Sequence, residues 1–433
     1  MSKFPPEFEI TITKIISSGE GEGVYQGKKV RVYGVLPGEI LLVRPTRVRR
    51  NKSTAAVIAV KKESPVRRIA RDEHFSSCGP WQIIPEEEQL ILKKSFVKEV
   101  FTREAGSIPL DTVEIVPSPA NWFYRNKMEF SIANDQNGKL SLALHKRHRF
   151  HDYWFLSQCA LAHEKINQEA NRIISIIQDQ RVTIDDLKNL VVRYSYTEDK
   201  CIGTLYVKNE VIIPKQMINK TFIGWSVVYS DPLSPAAKIT HTLYTEGRTY
   251  LTEMIGGNLL QYHHENFFQV NPSAFEYLIE WVTSHMDGNG LLVDLYAGVG
   301  TIGLALAPFM KEVIGLEIDE SAAHAIDENA QRNGIKNIRA TYATAAESHN
   351  LESILSTAET VVVDPPRSGM HPKVLRQICT FAPEHFVYVS CNPETQARDF
   401  KELKKVYTVS NWRLFDLYPQ TPHVESVLIM KRL

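Results

Sequence analysis

Four short apolar runs in the last third of the chain, each followed by a polar or reactive residue, constrain the fold most strongly. They are "LLVDL", "EVIGLE", "TVVVD" and "HFVYVSC", which lead to the glycine loop after Leu295 and to Glu317, Asp364 and Cys391. Helical patterns such as "SAAHAIDENAQRNG" lie between them. This alternation predicts an α/β domain with a doubly wound, Rossmann-like parallel sheet. Ligands bind at the carboxyl ends of the strands in such sheets, where all four signals fall.

The loop after the first run, "DLYAGVGT", favours one cofactor over another. It lacks the G-x-G-x-x-G spacing with which a nicotinamide enzyme brings its backbone close to a pyrophosphate. S-adenosyl-L-methionine has no phosphate and depends more on carboxylates, which Glu317 and Asp364 would provide. Glu317 ends the second strand, where nucleotide-binding folds present a carboxylate to the ribose. The pattern therefore favours S-adenosyl-L-methionine.

Four longer motifs carry a resemblance to a known family. They are "FFQVNPSAF" from Phe267, "DPPRSG" from Asp364, "FVYVSCNPET" from Phe386 and "FDLYPQTPHVE" from Phe415. In this order they resemble the signatures of the RNA uridine C5-methyltransferases, and the likeness covers almost the whole chain. It implies an enzyme that methylates C5 of a specific uridine in RNA. We expect 23S ribosomal RNA as the substrate, with uridine 54 of transfer RNA as the alternative.

The resemblance also implies a covalent mechanism. Uracil C5 is a poor nucleophile, but a thiolate added at C6 gives the ring carbanion character at C5. Cys391 is the implied nucleophile, and Glu425 is the implied base that removes the C5 hydrogen after methyl transfer. Tyr296 and Thr301 stand where the family often has Phe and Asn. The positions that match cofactor contacts of the family are Gln269, Tyr296, Gly298, Thr301, Glu317 and Asp364.

Basic residues are concentrated between Arg44 and Arg71, although the chain has 50 basic and 50 acidic residues and no net charge. Short strand-like runs separated by Gly and Pro predict a small, OB-like β-barrel in this part of the chain. The order "GEGEGV" then "GVLPGE" resembles the RNA-binding TRAM domain. A basic barrel suits an RNA backbone, and a merely solvated surface is the alternative. The expected contacts are Arg47, Arg49 and Arg50.

Further RNA contacts are expected at Arg125 and Lys127, within the aromatic and basic stretch "WFYRNKMEF". Unpaired bases stack on rings while phosphates meet cations, although core aromatics beside surface cations explain the stretch equally well. Arg367 is expected either to reach an RNA phosphate or to hold the active-site loop.

We therefore expect three domains. A TRAM-like barrel spans residues 1–61, an α+β RNA-binding domain spans 62–256, and the catalytic domain spans 257–433. The helical segment at 85–116 is expected to pack on the catalytic domain.

Many members of the family resembled carry an iron–sulfur site of four cysteines, three of them spaced C-x5-C-G-x-C. Here only Cys78 stands in that pattern, since Asp72 and Trp81 occupy the flanking positions, and Cys159 matches the fourth ligand. Two thiols cannot hold a cluster of the usual type. We predict that no iron–sulfur cluster forms, and we expect no other metal.

Other classes are disfavoured. The 5 cysteines suggest no disulfide framework, and no apolar stretch is long enough to span a membrane, so we expect a cytoplasmic protein, acting as a monomer. Adenine amino-methyltransferases place an aromatic residue where this chain has Arg367, and RNA cytosine C5-methyltransferases need a cysteine after the proline of "DPPRS". A non-catalytic RNA-binding protein would need neither Cys391 nor Glu425.

Overall fold

The computed structural model describes most of the chain, and its strands form four bodies: a closed barrel, two large sheets and a hairpin. The described residues are 4–48, 53–147, 149–180, 182–211, 217–234, 238–286, 288–342 and 351–433. Among them, no helix is both long and apolar enough to cross a membrane.

Five strands close into the N-terminal barrel: β1 (Phe8–Ile15), β2 (Gly21–Tyr25), β3 (Lys28–Val32), β4 (Ile40–Arg47) and β5 (Ser53–Lys62). Their order around the barrel is β1-β2-β3-β5-β4. Apolar residues alternate along β1, so that Phe8, Ile10 and Ile12 point inward and pack with Val30 and Leu41.

Strand β2 begins within the glycine-rich stretch "SSGEGEG", which the sequence pattern predicts as a separator between strand-like runs. Its glycines permit a close approach to neighbouring elements. A Cβ at Gly23 would lie 2.3 Å from the carbonyl oxygen of Thr11, and one at Gly21 would lie 2.4 Å from the Val35 side chain. Glycine occupies strand positions that leave no room for a side chain, and it is also common in turns. Periodicity alone therefore does not identify β2 as a strand.

The segment after the barrel contains α1 (Phe75–Cys78), α2 (Glu86–Ala105) and β6 (Glu114–Val116). Helix α2 packs on the C-terminal part of the chain, with Phe101 against Phe400 and Trp412. The ammonium of Lys93 is buried and lies 2.6 Å from the Asp416 carboxylate. This early segment is therefore built into the core of the C-terminal domain.

The central sheet has seven strands in the order β13-β12-β11-β10-β7-β8-β9, and α3 covers the core formed with one of its faces. Strands β11 and β12 are parallel, and the other neighbouring strands are antiparallel. In chain order the elements are β7 (Lys127–Asn134), β8 (Leu140–Lys146), β9 (Arg149–Phe155), α3 (Glu164–Gln178), β10 (Leu187–Ser195), β11 (Lys200–Val207), β12 (Phe222–Tyr229) and β13 (His241–Gly247).

A hairpin of β14 (Tyr250–Ile255) and β15 (Asn258–His263) follows. Its inward residues, among them Leu251 and Leu260, pack into the same core as the C-terminal sheet. The expected domain division between residues 256 and 257 falls in the turn of this hairpin, which packs as one unit.

The C-terminal sheet has eight strands in the order β18-β17-β16-β19-β20-β22-β21-β6. The five strands from β18 to β20 are parallel, as expected, whereas β22 runs antiparallel to β20 and β21. The elements are α4 (Pro272–Ser284), β16 (Leu291–Leu295), α5 (Thr301–Leu306), a 3₁₀ turn (Ala307–Phe309), β17 (Glu312–Glu317), α6 (Glu320–Arg332), β18 (Ile338–Tyr342), α7 (Leu351–Thr357), β19 (Thr360–Val363), α8 (Pro372–Phe381), β20 (His385–Ser390), α9 (Pro393–Leu403), β21 (Tyr407–Phe415) and β22 (Glu425–Arg432).

Candidate active site

The sheet topology brings the predicted catalytic residues to one edge. Strand β20 ends at Ser390, directly before Cys391, and Ser390 pairs with Ser426 of the antiparallel strand β22. Glu425 begins β22 and therefore lies at the same edge as the thiol. The carboxyl ends of β16, β17 and β19 meet there too, since these strands are parallel to β20.

The glycine loop after β16 is shaped to accept a ligand. Tyr296 and Gly298 have positive φ values of 65° and 56°, and a Cβ at Gly298 would meet no described atom within 4 Å. The Gly298 N–H donates a hydrogen bond to Glu317 at 2.8 Å. Glu317 also accepts the N–H groups of Ile318 and Asp319, so three of its roughly four lone-pair sites are used. One site remains for a ligand hydroxyl.

Two further carboxyl groups lie beneath this loop. Burial raises the pKa of Asp364 to about 7 and that of Asp294 to about 8, with smaller contributions to Asp294 from Asp364 and Glu317. Asp294 accepts the Gly303 N–H at 2.9 Å and thereby fixes the start of α5, where Thr301 is half-buried. We did not single out Asp294 from the sequence, although it is the first residue of "DLYAGVGT".

Gln269 lies in the loop before α4. The carbonyl oxygen of its side chain is buried and has no hydrogen-bond partner among the described residues. The next-but-one residue, Asn271, caps α4 and donates hydrogen bonds to Ser118 and to the Leu417 carbonyl.

In the glycine loop, the hydroxyl of Tyr296 accepts the His371 N–H at 3.3 Å.

These groups fit S-adenosyl-L-methionine. The Glu317 carboxylate, with an unused lone pair, and the Gln269 amide oxygen, without a partner among the described residues, can accept hydroxyl, amino and ammonium hydrogens of such a ligand. The open backbone at Gly298 leaves room for it. Acceptors dominate, which suits a ligand with a cationic sulfonium centre better than one with a pyrophosphate.

The Cys391 thiol is half-buried in a cleft of about 230 Å³. Burial, together with the negative charges of Glu425 and Asp364, raises the pKa of Cys391 to about 12, and Arg367 opposes them. Thiol chemistry here therefore depends on charges that substrate binding can change. The cleft is also lined by Ser17, Ser18, Lys93, Phe96, Val97, Val100, Arg367, Asn392, Pro393, Glu394, Pro422, His423 and Val424.

Arg367 supports the turn that carries the thiol. Its carbonyl oxygen accepts hydrogen bonds from the Asn392 side chain at 2.7 Å and from the Thr395 hydroxyl at 3.3 Å. Its guanidinium is exposed and contacts Nε2 of His423 at 3.3 Å. The backbone of Arg367 thus holds the active-site loop, while its charged end remains available to a ligand.

Glu425 is buried, and neither carboxyl oxygen has a hydrogen-bond partner among the described residues. Burial, together with the charge of Asp364, raises the pKa of Glu425 well above its ordinary value. The phenol of Tyr418 shares this region, since Glu425, Cys391 and Asp364 add to the effect of burial in raising the pKa of Tyr418. Tyr418 follows "FDL" in the motif that begins at Phe415, but its spacing does not identify it as a site residue.

The other predicted RNA contacts among the described residues lie outside the cleft that contains Cys391. Arg47 is exposed at the end of β4, whereas Arg49 and Arg50 lie outside the described residues. Arg125 is half-buried, and its guanidinium donates to the Cys78 carbonyl at 3.2 Å. Burial lowers the pKa of Lys127 to about 8. The central-domain cations are thus more enclosed than freely solvated RNA contacts would be.

Comparisons with known proteins agree with this architecture. A family model described as tRNA (uracil-5-)-methyltransferase matches residues 86–433. An uncharacterized RNA methyltransferase of Caldanaerobacter subterraneus subsp. tengcongensis is 30% identical, over 98% of each chain. One from Thermotoga maritima is 31% identical, again over 98% of each chain.

Among solved structures, the Pyrococcus abyssi tRNA (uracil-54, C5)-methyltransferase in complex with S-adenosyl-L-homocysteine has a similar fold. The TM-score is 0.76 and the identity 24%, covering 98% of this chain and 100% of that one. The likeness confirms the fold class predicted from the sequence.

Proposed function

The chain belongs to the tRNA (uracil-5-)-methyltransferase family, and from this premise we propose that it methylates C5 of a specific uridine in RNA, with S-adenosyl-L-methionine as the methyl donor. The resemblance found in the sequence is confirmed at the level of the family. One observation supports the proposal most directly: a half-buried thiol and a buried carboxyl without a partner stand at the same edge of the sheet.

The first step belongs to Cys391. Its thiol gives up its proton to solvent in the cleft, and the sulfur forms a bond to C6 of the uracil while the C5–C6 π electrons move to C5 and the carbonyl oxygen at C4. The cofactor supplies an electrophilic methyl group to C5 when it is bound. Arg367 lowers the pKa of Cys391 and so favours the thiolate, whereas burial opposes it.

Glu425 completes the reaction. After C5 has received the methyl group, the hydrogen at C5 must leave as a proton so that its electron pair can re-form the C5–C6 bond and expel the Cys391 sulfur. A carboxylate with a raised pKa is a stronger base once it has lost its own proton.

Cofactor binding is assigned to the residues around the glycine loop. Glu317 accepts from the ribose hydroxyls, and the open backbone at Gly298 admits the ligand. Gln269 and Asp364 offer acceptors to its polar end, and Tyr296 and Thr301 shape the walls of the pocket.

We assign ribosomal RNA as the substrate, in particular 23S ribosomal RNA. Uridine 54 of transfer RNA is the second candidate, which the fold likeness to the Pyrococcus abyssi enzyme favours. The exposed cations Arg47 and Arg367, with Arg125 and Lys127, are the assigned RNA contacts. We also propose that the protein acts as a monomer. A free thiol at Cys391 suits the reducing cytoplasm.

A methyl-transfer assay tests the proposal. The protein is incubated with radiolabelled S-adenosyl-L-methionine and transcripts of 23S ribosomal RNA and of transfer RNA, and the nucleosides are then separated. We expect label in 5-methyluridine of the ribosomal transcript and none with Cys391→Ala. Label only in the transfer RNA transcript would replace the substrate assignment. Label in cytidine or adenosine, or in neither transcript, would refute uridine methylation.

A further inference from the structure

A second cluster of reactive side chains lies outside the methylation site. Asp72, His74, Cys78 and Cys159 are all buried, and one potential ligand atom from each lies within 4.8 Å of the others. The first three come from α1 and the loop before it, and Cys159 comes from the loop between β9 and α3. The cluster therefore joins two segments that are distant in the sequence.

Two of the separations between these ligand atoms are close to the edges of a small tetrahedron, and all of them lie within 4.8 Å. An Oδ2 atom of Asp72 lies 3.6 Å from the Cys78 sulfur and 3.8 Å from Nε2 of His74. Bond lengths of about 2.3 Å to sulfur and about 2.0 Å to nitrogen or oxygen give tetrahedral edges of about 3.3 to 3.8 Å. The four atoms are therefore close enough for side-chain adjustment to bring all of them onto one ion.

One candidate ligand atom of this cluster forms no hydrogen bond with the described residues. Nε2 of His74 is buried and has no hydrogen-bond partner among the described residues. A buried polar nitrogen without a partner is costly, because it has lost water and gained nothing in exchange. Coordination of a cation by this nitrogen removes that cost.

Outer hydrogen bonds hold the candidate ligands in place. The Gln82 amide donates to the Asp72 carboxylate at 2.7 Å and to the Cys78 sulfur at 3.5 Å. The Ala160 N–H donates to the other oxygen of Asp72 at 3.0 Å. Partners of this kind orient ligands around bound metals in proteins.

We propose that Asp72, His74, Cys78 and Cys159 bind one Zn²⁺ ion as a structural site. Two sulfurs, one nitrogen and one oxygen supply a closed set of four ligands, which leaves no position for a substrate. Binding releases the protons of the two thiols. The sequence analysis predicts no metal because the chain has only two of the four cysteines that an iron–sulfur cluster needs. That comparison does not consider His74 or the Asp72 carboxylate as ligands.

The ion stabilises a region that contacts the loop between β21 and β22, which leads to Glu425. Residues just after Cys78 contact Gln420, since the Trp81 N–H donates to the Gln420 carbonyl at 3.0 Å. A Cβ at Gly79 would lie 3.1 Å from the same carbonyl oxygen. Gln420 stands in the loop between β21 and β22 and has a positive φ of 65°. The metal thus braces the segment that leads to Glu425, independently of the proposed reaction.

Metal content and cobalt spectroscopy of the full chain test this site. We expect about one zinc per chain by elemental analysis after purification without chelators. Exchange with Co²⁺ should give a thiolate-to-cobalt charge-transfer band and strong visible bands of a tetrahedral site. Cys159→Ala and His74→Gln should each weaken Co²⁺ binding more than about 100-fold, since loss of an outer partner alone costs about 10- to 100-fold. Cys201→Ala, which removes another buried thiol of the central domain, should bind as the unaltered protein does.

Three results would overturn the site, and each is obtained on the unaltered protein whether or not a variant folds. They are a chain that takes up neither zinc nor cobalt, a visible iron–sulfur spectrum, and a disulfide between Cys78 and Cys159 found by mass spectrometry in protein purified under reducing conditions. Normal cobalt binding by a folded Cys159→Ala protein would also refute the ligand assignment.

Discussion

At the residue scale, the chemistry depends on two groups whose charged forms are disfavoured. Burial raises the pKa of Cys391 to about 12 and that of Glu425 well above its ordinary value. At neutral pH the resting protein therefore holds a thiol at Cys391, and the raised pKa of Glu425 favours the protonated form of its carboxyl. The exposed guanidinium of Arg367 is the positive charge that acts in the opposite direction on both groups.

This arrangement predicts how Cys391 reacts without RNA. Only the thiolate is alkylated, and its fraction rises about tenfold per pH unit below the pKa. Alkylation of Cys391 by iodoacetamide, followed by peptide mass spectrometry, should therefore keep rising between about pH 7 and about pH 10 without a plateau. Arg367→Met should slow it, because the pKa of Cys391 rises when the positive charge is removed.

Arg367→Lys is the matched control and should retain most of the reactivity, since it keeps the charge. A plateau below about pH 9 in the unaltered protein, or equal rates for Arg367→Met and Arg367→Lys, would show that these charges do not control the thiol.

The sequence located some site residues far better than others. Cys391 and Glu425 stand in long motifs whose order is readable without a structure. Asp294, Tyr418 and His74 were not singled out, because their importance comes from burial and from neighbours distant in the chain. Spacing along the sequence carries no record of either property.

At the element scale, the antiparallel strand β22 has a consequence that alternation of strands and helices does not predict. A parallel β22 would begin at the opposite edge of the sheet and would carry Glu425 away from Cys391. The β21–β22 pair reverses the chain instead, and so brings both residues to one edge. The five parallel strands, by contrast, follow directly from the apolar runs and intervening helices.

Helix α2 offers a test of how the early segment is held. Lys93 is fully buried, and its ammonium donates to Asp416 at 2.6 Å and to the Tyr418 carbonyl at 3.2 Å. Lys93→Met should lower the free energy of unfolding by about 3 to 5 kcal/mol, because it leaves the Asp416 carboxylate buried without its cation. Chemical denaturation followed by tryptophan fluorescence measures this change.

Lys94→Met serves as the control on the same helix. Because Lys94 is only half-buried, this substitution should lower the free energy of unfolding by about 0.5 kcal/mol or less. Adding Asp416→Asn to Lys93→Met should recover part of the loss. If Lys93→Met and Lys94→Met were equally stable, the buried pair would not hold α2 in place.

At the scale of the whole molecule, the barrel is docked beside the catalytic cleft. Ser17 and Ser18, from the loop between β1 and β2, line the cleft that contains Cys391. The Ser17 hydroxyl donates to Glu394 at 3.2 Å, and a Cβ at Gly19 would lie 2.5 Å from the Pro422 ring. An RNA bound on the barrel therefore lies close to the reactive edge of the sheet.

The basic segment is less available than its composition suggests. Arg44, Arg67 and Arg68 are engaged in ion pairs with Glu7, Glu39 and Glu86. That set leaves the exposed cations Arg47, Lys61 and Lys62 as the strongest candidates among the described residues for contacts with phosphates.

Replacing Arg47, Lys61 and Lys62 together by Gln should weaken RNA binding and flatten its dependence on salt. Each lost phosphate contact should lower the slope of log affinity against log salt by about 0.7 to 0.9. Fluorescence anisotropy at several salt concentrations measures this slope. The matched control replaces Lys311, Lys336 and Lys431, exposed cations of the C-terminal domain, and should leave the slope unchanged. Equal slopes for the two triple variants would exclude the barrel surface as an RNA contact.

The central claim is that Cys391 attacks the base before Glu425 releases it, so the two variants should fail at different stages. Glu425→Gln should attack and methylate ordinary uridine RNA, but elimination should slow by about 10²- to 10⁴-fold, the usual cost of losing a general base. It should accumulate a denaturant-resistant protein–RNA complex that carries the methyl group. Denaturing gels with labelled cofactor detect this complex.

The most direct measurement uses RNA containing 5-fluorouridine, whose fluorine cannot leave as a proton and so traps the adduct. The unaltered protein and Cys379→Ala, which removes a half-buried thiol of α8, should form a covalent complex on a denaturing gel. Cys391→Ala should bind the RNA without forming any such complex. A covalent complex formed by Cys391→Ala would show that another residue is the nucleophile and would contradict the mechanism.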